Sequence, residues 1–237
     1  MKKKYFLYII PVILIVIGSI WVFKMKDAST IKYPTDNLPQ IKINQEYNKN
    51  KKINEDYVGL LKFDSGLIEE DVVQGETNET YLRANWHTGE YDEEGSIFMD
   101  SESKLSDQNI TLYGHYVYES YDSSRTHKFT PLELLLEEEN YEANKTLTLE
   151  LENETRKYMI VAVYLCNLSD ELVAPENLKY YTTNFTEENF IAYKQEIEKI
   201  QQYETKVSYD FNDKFLTLQT CVKNHPEQRQ IVLCKEI

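Results

Sequence analysis

Three side chains in this 237-residue sequence have the types needed for nucleophilic acyl transfer. Cys221 closes the alternating run 215–221 (FLTLQTC), so its thiol falls at a strand end, where a substrate can reach it. Only a few per cent of a free thiol is thiolate near pH 7, so a working cysteine needs a partner that moves protons. Four histidines compete for that role. His87 (NWHTGE) and His127 (SRTHKF) sit in polar stretches that read as solvated loops. His225 is four residues from Cys221, but His225-Pro226 reads as a loop. His115 follows the strand-like run NITLY and a glycine, so its ring would emerge at a strand end, as Cys221 does. Residue type and spacing do not choose between His115 and His225. Arg229 begins the run RQIVLC, after seven intervening residues from Cys221; if the two strands pair as a hairpin, it lies beside the thiol. A guanidinium stays charged at any working pH and can donate to a developing oxyanion. Cys166 and Cys234, inside apolar runs, read as small buried hydrophobes. Three cysteines without CxxC spacing argue against a disulfide framework or a cysteine zinc site.

Short strand-like runs must position these residues: 58–63, 72–73, 96–99, 110–113, 146–151, 157–166, 215–220 and 230–233. Their fairly regular spacing predicts a barrel or sandwich. Thr130-Pro131 opens LELLLEEE with a capping hydroxyl and proline at the first helical position. Thr186 caps a second helix, in which Phe190, Tyr193, Ile197 and Ile200 recur at helical spacing. If that helix walls the substrate groove, Phe190 and Ile197 bear on substrate use.

Residues 5–23 (YFLYIIPVILIVIGSIWVF) carry no charge and follow Lys2, Lys3 and Lys4. As a helix they would span about 28 Å, close to a bilayer's hydrocarbon thickness. No small-x-small cleavage site precedes Trp21, so an uncleaved anchor is expected, N-terminus inside and body outside. The expected organisation is anchor 1–26, stalk and polar helical segment 27–54, and catalytic domain 55–237. Five of the 26 basic residues precede Asp27, the first acid, so the remainder carries 21 basic against 40 acidic side chains, a net −19. Such a body repels phosphate backbones, which argues against nucleic acid. Six Asn-x-Ser/Thr triplets are incidental in so Asn- and Thr-rich a composition.

TLQTC at 217–221 resembles the TLxTC motif of sortases, YGH at 113–115 their histidine segment, and Arg229 in RQIVLCKEI the arginine that starts their last strand. VVQGETNETYL (72–82), GSIFMD (95–100) and the long helix at 186–203 look like class B sortases. The resemblance covers residues 55–237 and implies an eight-stranded β-barrel transpeptidase with a helix inserted before the strand that leads to the cysteine. Cys221 would attack the Thr carbonyl of a C-terminal sorting signal and form a thioester. His115 would protonate the leaving amine, and Arg229 would hold the oxyanion. An amine, from a peptidoglycan cross-bridge or a pilin lysine, would resolve the thioester. Asn78, Leu82, Tyr113 and Thr220 would line the substrate groove, with no cofactor or metal.

The sequence departs from that pattern in three places: Glu70-Asp71 where Tyr-Pro is usual, Gln219 in place of a small residue, and YVYESYDSSRTHKF after YGH instead of a path toward Met-Phe. These bear on substrate preference more than on reaction type. Two other functions would use the same surface. A secreted Cys-His hydrolase would release the acyl group to water, and a non-catalytic barrel would bind a peptide or wall polymer.

Overall fold

Eight strands close into a barrel in the order β1-β2-β3-β4-β7-β8-β6-β5. The computed structural model describes residues 38–117, 128–167 and 180–237; the expectations for residues 5–23, for the Pro34 stalk and for His127 lie outside them. The strands are β1 (Tyr57–Phe63), β2 (Glu69–Val73), β3 (Ile97–Met99), β4 (Asn109–Tyr113), β5 (Thr146–Glu150), β6 (Thr155–Asn167), β7 (Phe215–Val222) and β8 (His225–Glu236). Each coincides with one of the expected runs. Two neighbouring pairs, β2/β3 and β4/β7, are parallel.

Alternation along each strand decides what faces inward. Leu147 and Leu149 of β5, Ile110 and Leu112 of β4, Leu216 and Leu218 of β7, and Val232 and Cys234 of β8 fill one interior cluster. A bulge at Ile160/Ala162 shifts the register of β6 on β8. Ile160 and Val163 therefore point inward while Val161, Ala162 and Tyr164 join a second apolar layer outside the barrel. Strands buried on both faces read as continuous apolar runs, as 157–166 does.

That outer layer is covered by a helix, Glu187–Ile200. Its Thr186 hydroxyl accepts from the Asn189 N–H, and Glu187 and Glu188 occupy the first turn, favourable for the helix dipole. Phe190, Tyr193 and Ile197 are buried and Ile200 is half-buried. Phe190 stacks on Phe215 with centroids 5.4 Å apart, and the buried Tyr164 and Tyr193 hydroxyls lie 3.0 Å apart.

Thr130–Leu136 is a 3₁₀ helix with Pro near its start, and its N-terminus has no side-chain cap. The Thr130 hydroxyl instead accepts from the Val117 N–H at 2.8 Å, a tertiary contact that outcompetes the expected local cap. The polar helical segment expected within 27–54 forms a helix from Leu38 to Ile53, and its Tyr47 packs edge-on against Tyr57. Among the described residues no helix is long and apolar enough to cross a membrane.

Phe190→Ala removes a side chain only 2% exposed and is expected to lower stability by about 3–5 kcal/mol in urea unfolding. Ile191→Ala, one position along and half exposed, should change it by no more than about 0.5 kcal/mol.

Candidate active site

The ladder explains how residues more than a hundred positions apart share one end of the barrel. Parallel β4 and β7 pair with Tyr113 opposite Gln219, so His115 and Cys221 each stand two residues beyond the same rung. The Gly114 N–H donates to the Gln219 carbonyl at 3.2 Å, extending the pairing past β4. Antiparallel β8 returns through a two-residue turn at Lys223 and Asn224 and sets Arg229 directly opposite Cys221. Asn224 takes φ 62°, which asparagine tolerates.

His115, Cys221 and Arg229 line one cavity of about 290 Å³, together with Asn78, Leu82, Phe98, Tyr113, Gly114 and Gln219. His225 is not among these residues. It is the exposed first residue of β8 rather than a loop residue, and its Nδ1 lies 3.4 Å from Glu227. His87 is exposed.

Of the four expected groove residues, Asn78, Leu82 and Tyr113 line the cavity. Thr220 does not. Strand alternation turns it away from Cys221, and it is fully buried, on the side of β7 that carries Leu216 and Leu218 into the barrel. Gln219 holds the cavity-facing place instead. The helix Glu187–Ile200 contributes no residue to this cavity and serves the outer apolar layer.

The sequence reading missed Asp100. This buried carboxylate accepts from the Tyr113 hydroxyl at 2.7 Å and from Asn78 Nδ2 at 3.0 Å, both on Oδ2. Asn78 Oδ1 in turn accepts the Ser101 N–H, and Gln74 Nε2 donates to the Asp100 and Ser103 carbonyls. Tyr113 and Asn78 are thus fixed by one acid. Burial, reinforced by Asp100, pushes the Tyr113 hydroxyl far above the ordinary phenol value, so it remains a neutral donor. The only sequence signal for Asp100 was its place at the end of GSIFMD.

His115 Nε2 lies 2.8 Å from the Leu82 carbonyl. A carbonyl only accepts, so Nε2 carries the proton and Nδ1 of the neutral ring is left with its lone pair. Leu82 therefore lines the cavity with its side chain and orients the histidine with its backbone. Gly95 makes this possible. At φ 58° it passes so near Tyr81 and Leu82 that a Cβ there would drive into their carbonyl oxygens. Gly114 is similarly constrained, since a Cβ would meet the Phe129 ring at 2.7 Å.

Arg229 Nη1 donates to the Pro226 carbonyl at 2.7 Å and the Gln228 carbonyl at 2.8 Å, which folds the guanidinium along its own strand beside Cys221. Cys166 is opposite Arg229 on the other side of β8. Burial pushes its thiol up to about 11, although Arg229 pulls the other way. Burial also raises Cys234 far above the thiol range. Neither is a nucleophile at neutral pH.

No family model matches the chain. It is 27% identical over 258 aligned positions to sortase B of Staphylococcus aureus, covering 100% of this chain and 99% of that one. The structure of Clostridium perfringens sortase B is 32% identical with a TM-score of 0.68, covering 80% of this chain and 98% of that one. A Staphylococcus aureus sortase B–substrate complex is 26% identical with a TM-score of 0.69, covering 82% and 86%. An eight-stranded barrel of this topology is the sortase fold. The chain belongs to the class B sortases and is a cysteine transpeptidase.

The His115 imidazole is held below the ordinary histidine value, first by burial and then by the Arg83 charge, with the Leu82 hydrogen bond opposing both. It is therefore neutral at pH 7. A depressed folded value means the unfolded chain binds this proton more readily. The associated stability is intact above about pH 6.5 and is lost as pH falls from there through the lower folded value. NMR titration of the ring, with its resonance identified by loss in His115→Ala, is expected to give a midpoint below 6.5.

Proposed function

We propose that Cys221 is the nucleophile, His115 the proton carrier and Arg229 the electrostatic partner of a transpeptidation on secreted proteins. The single observation that carries this reading is the shared end of β4, β7 and β8, where ladder register brings these three residues around one cavity. Cys221 Sγ loses its proton to His115 Nδ1 and attacks the carbonyl carbon of the residue before the scissile bond. Arg229 donates to the oxyanion once its fork leaves the Pro226 and Gln228 carbonyls, contacts that a substrate oxygen would replace. The imidazolium then protonates the departing amine, the C–N bond breaks, and a thioester remains on Cys221. An incoming amine gives its proton to Nδ1, attacks the thioester, and leaves an amide with the thiol restored.

The peptide is a C-terminal sorting signal cleaved after Thr and held against Asn78, Leu82, Tyr113 and Gln219. That a Staphylococcus aureus sortase B forms a substrate complex supports substrate binding by this barrel. The acceptor is a primary amine, from a peptidoglycan cross-bridge or a pilin lysine. The uncharged run 5–23, preceded by three lysines, supports a single-pass anchor with the catalytic barrel outside the cell.

The test incubates the full-length chain in detergent with sorting-signal peptides and either glycine-based or lysine-based amines, with products read by mass spectrometry. Peptide cut after Thr and joined to the amine is expected. Cys221→Ala should lower the rate by about 10⁴-fold or more, the scale seen when a catalytic nucleophile is deleted. Arg229→Lys keeps the charge but not the fork and should lower kcat by about 10²–10³-fold. Cys221-dependent release of free acid alone, at saturating amine, would replace transpeptidation by hydrolysis. An intact peptide with every amine would leave the binding-barrel reading.

A further inference from the structure

The segment that carries His115 leaves β4 at Tyr113 and returns at Lys128, and its two arms are tied together above the barrel. The Phe129 N–H donates to the His115 carbonyl at 3.1 Å, the Val117 N–H donates to Thr130 Oγ1, and Tyr116 bridges Lys128 as an isolated antiparallel pair. The Tyr116 hydroxyl donates to Glu133 at 2.7 Å, and Phe129 is fully buried in the barrel interior beneath Gly114. These contacts hold the arms to each other and to the core below. A further contact ties them sideways to the barrel wall, with Lys128 Nζ 3.2 Å from Glu70 Oε2 of β2.

This ion pair differs from the exposed ones on the same protein. Its side chains are 16% and 11% exposed, whereas the Lys49–Glu46 pair is 68% and 61% exposed. Exposed pairs contribute little, whereas breaking a pair largely withdrawn from water costs more, because the remaining charge is poorly solvated. Lys128 also takes φ 51°, a left-handed conformation that non-glycine residues rarely adopt and that persists only where the surroundings over-determine it. Asp71, next along β2, accepts from the Tyr57 hydroxyl; burial raises its carboxyl above the ordinary value, Glu70 adds to that, and the Lys128 charge works against it.

We infer that the Glu70–Lys128 pair is a latch that positions His115. It pins the returning arm to β2, and the arm in turn holds the His115 backbone through the Phe129 N–H and the Tyr116–Lys128 bridge. Without it the returning arm loses its tie to β2, and the His115 backbone is held only through contacts within the two arms and to the core below. The inference rests on His115 as the proton carrier, and the test separates the two.

Three variants of the full-length chain in detergent serve: Glu70→Gln, Lys128→Asn (asparagine tolerates the left-handed backbone) and the charge swap Glu70→Lys with Lys128→Glu. Thermal unfolding establishes which are folded. Each single variant should lower kcat about ten- to a hundredfold with KM within about twofold, the pattern of a misplaced catalytic group. In the same variants the His115 NMR midpoint should move up toward the ordinary histidine value as the loosened ring gains water. The swap should restore both readouts most of the way. Folded single variants with wild-type kcat and an unmoved midpoint overturn the latch, and so does a folded swap that is no better than the single variants. If one single variant fails to fold, the other and the swap still decide. A midpoint that moves while turnover stays unchanged upholds the latch and removes His115 from the chemistry instead.

Discussion

The structure depends on the parallel pairing of β4 with β7 in the register that sets Tyr113 opposite Gln219. Parallel neighbours cannot be joined by a tight turn and need a long crossover. Here the crossover carries the 3₁₀ helix, β5, β6 and the helix Glu187–Ile200. In exchange, parallel strands finish at the same end, and His115 and Cys221 both stand just past the last shared rung. A slip of one residue would invert the facing of β7, putting Thr220 into the cavity and sending Cys221 into the barrel. The interior cluster forbids that slip, since it would expose Leu216 and Leu218 to the outer layer and bury a thiol.

The cavity's two flanks are organised by different means. One is polar and centred on Asp100, a single buried acid that orients Asn78 and Tyr113 and is itself held by backbone donors such as Glu102 N–H. The other is a backbone arrangement, where Leu82 offers its carbonyl to His115 because Gly95 lets the chain pass close behind it. Neither flank tolerates much freedom. A site of this kind works by holding groups still before substrate arrives.

Much of this was legible in the sequence because the barrel strands alternate and end at glycines or turns. All eight were readable, as were the Thr186 cap and the hairpin that joins Cys221 to Arg229. What escaped reading depended on contacts distant in the chain. Thr130 carries every local mark of a helix cap, yet its hydroxyl serves Val117. Thr220 lies in the motif beside Cys221, but period-two alternation turns it inward. Asp100 was invisible as a hub because its partners, at 78 and 113, come from separate elements. His115 could not be separated from His225 on residue type, and only the ladder register and the cavity lining show which of the two shares a cavity with Cys221. The bearing of Glu70 on Lys128, 58 positions away, likewise has no sequence periodicity to announce it.

The placement of the three cysteines also governs how the protein meets oxidants. Cys166, Arg229 and Cys221 lie on successive strands, so the two thiol-bearing backbones are two strand spacings, about 9.5 Å, apart. A disulfide reaches only about 7 Å between Cα atoms. Cys234 faces the barrel interior, on the opposite side of β8 from Arg229. A sulfenic acid formed on Cys221 therefore finds no second thiol of the same chain to condense with. Its rescue must come from a small thiol or reductase outside the molecule, and without one the oxidation proceeds to forms that cannot be reversed.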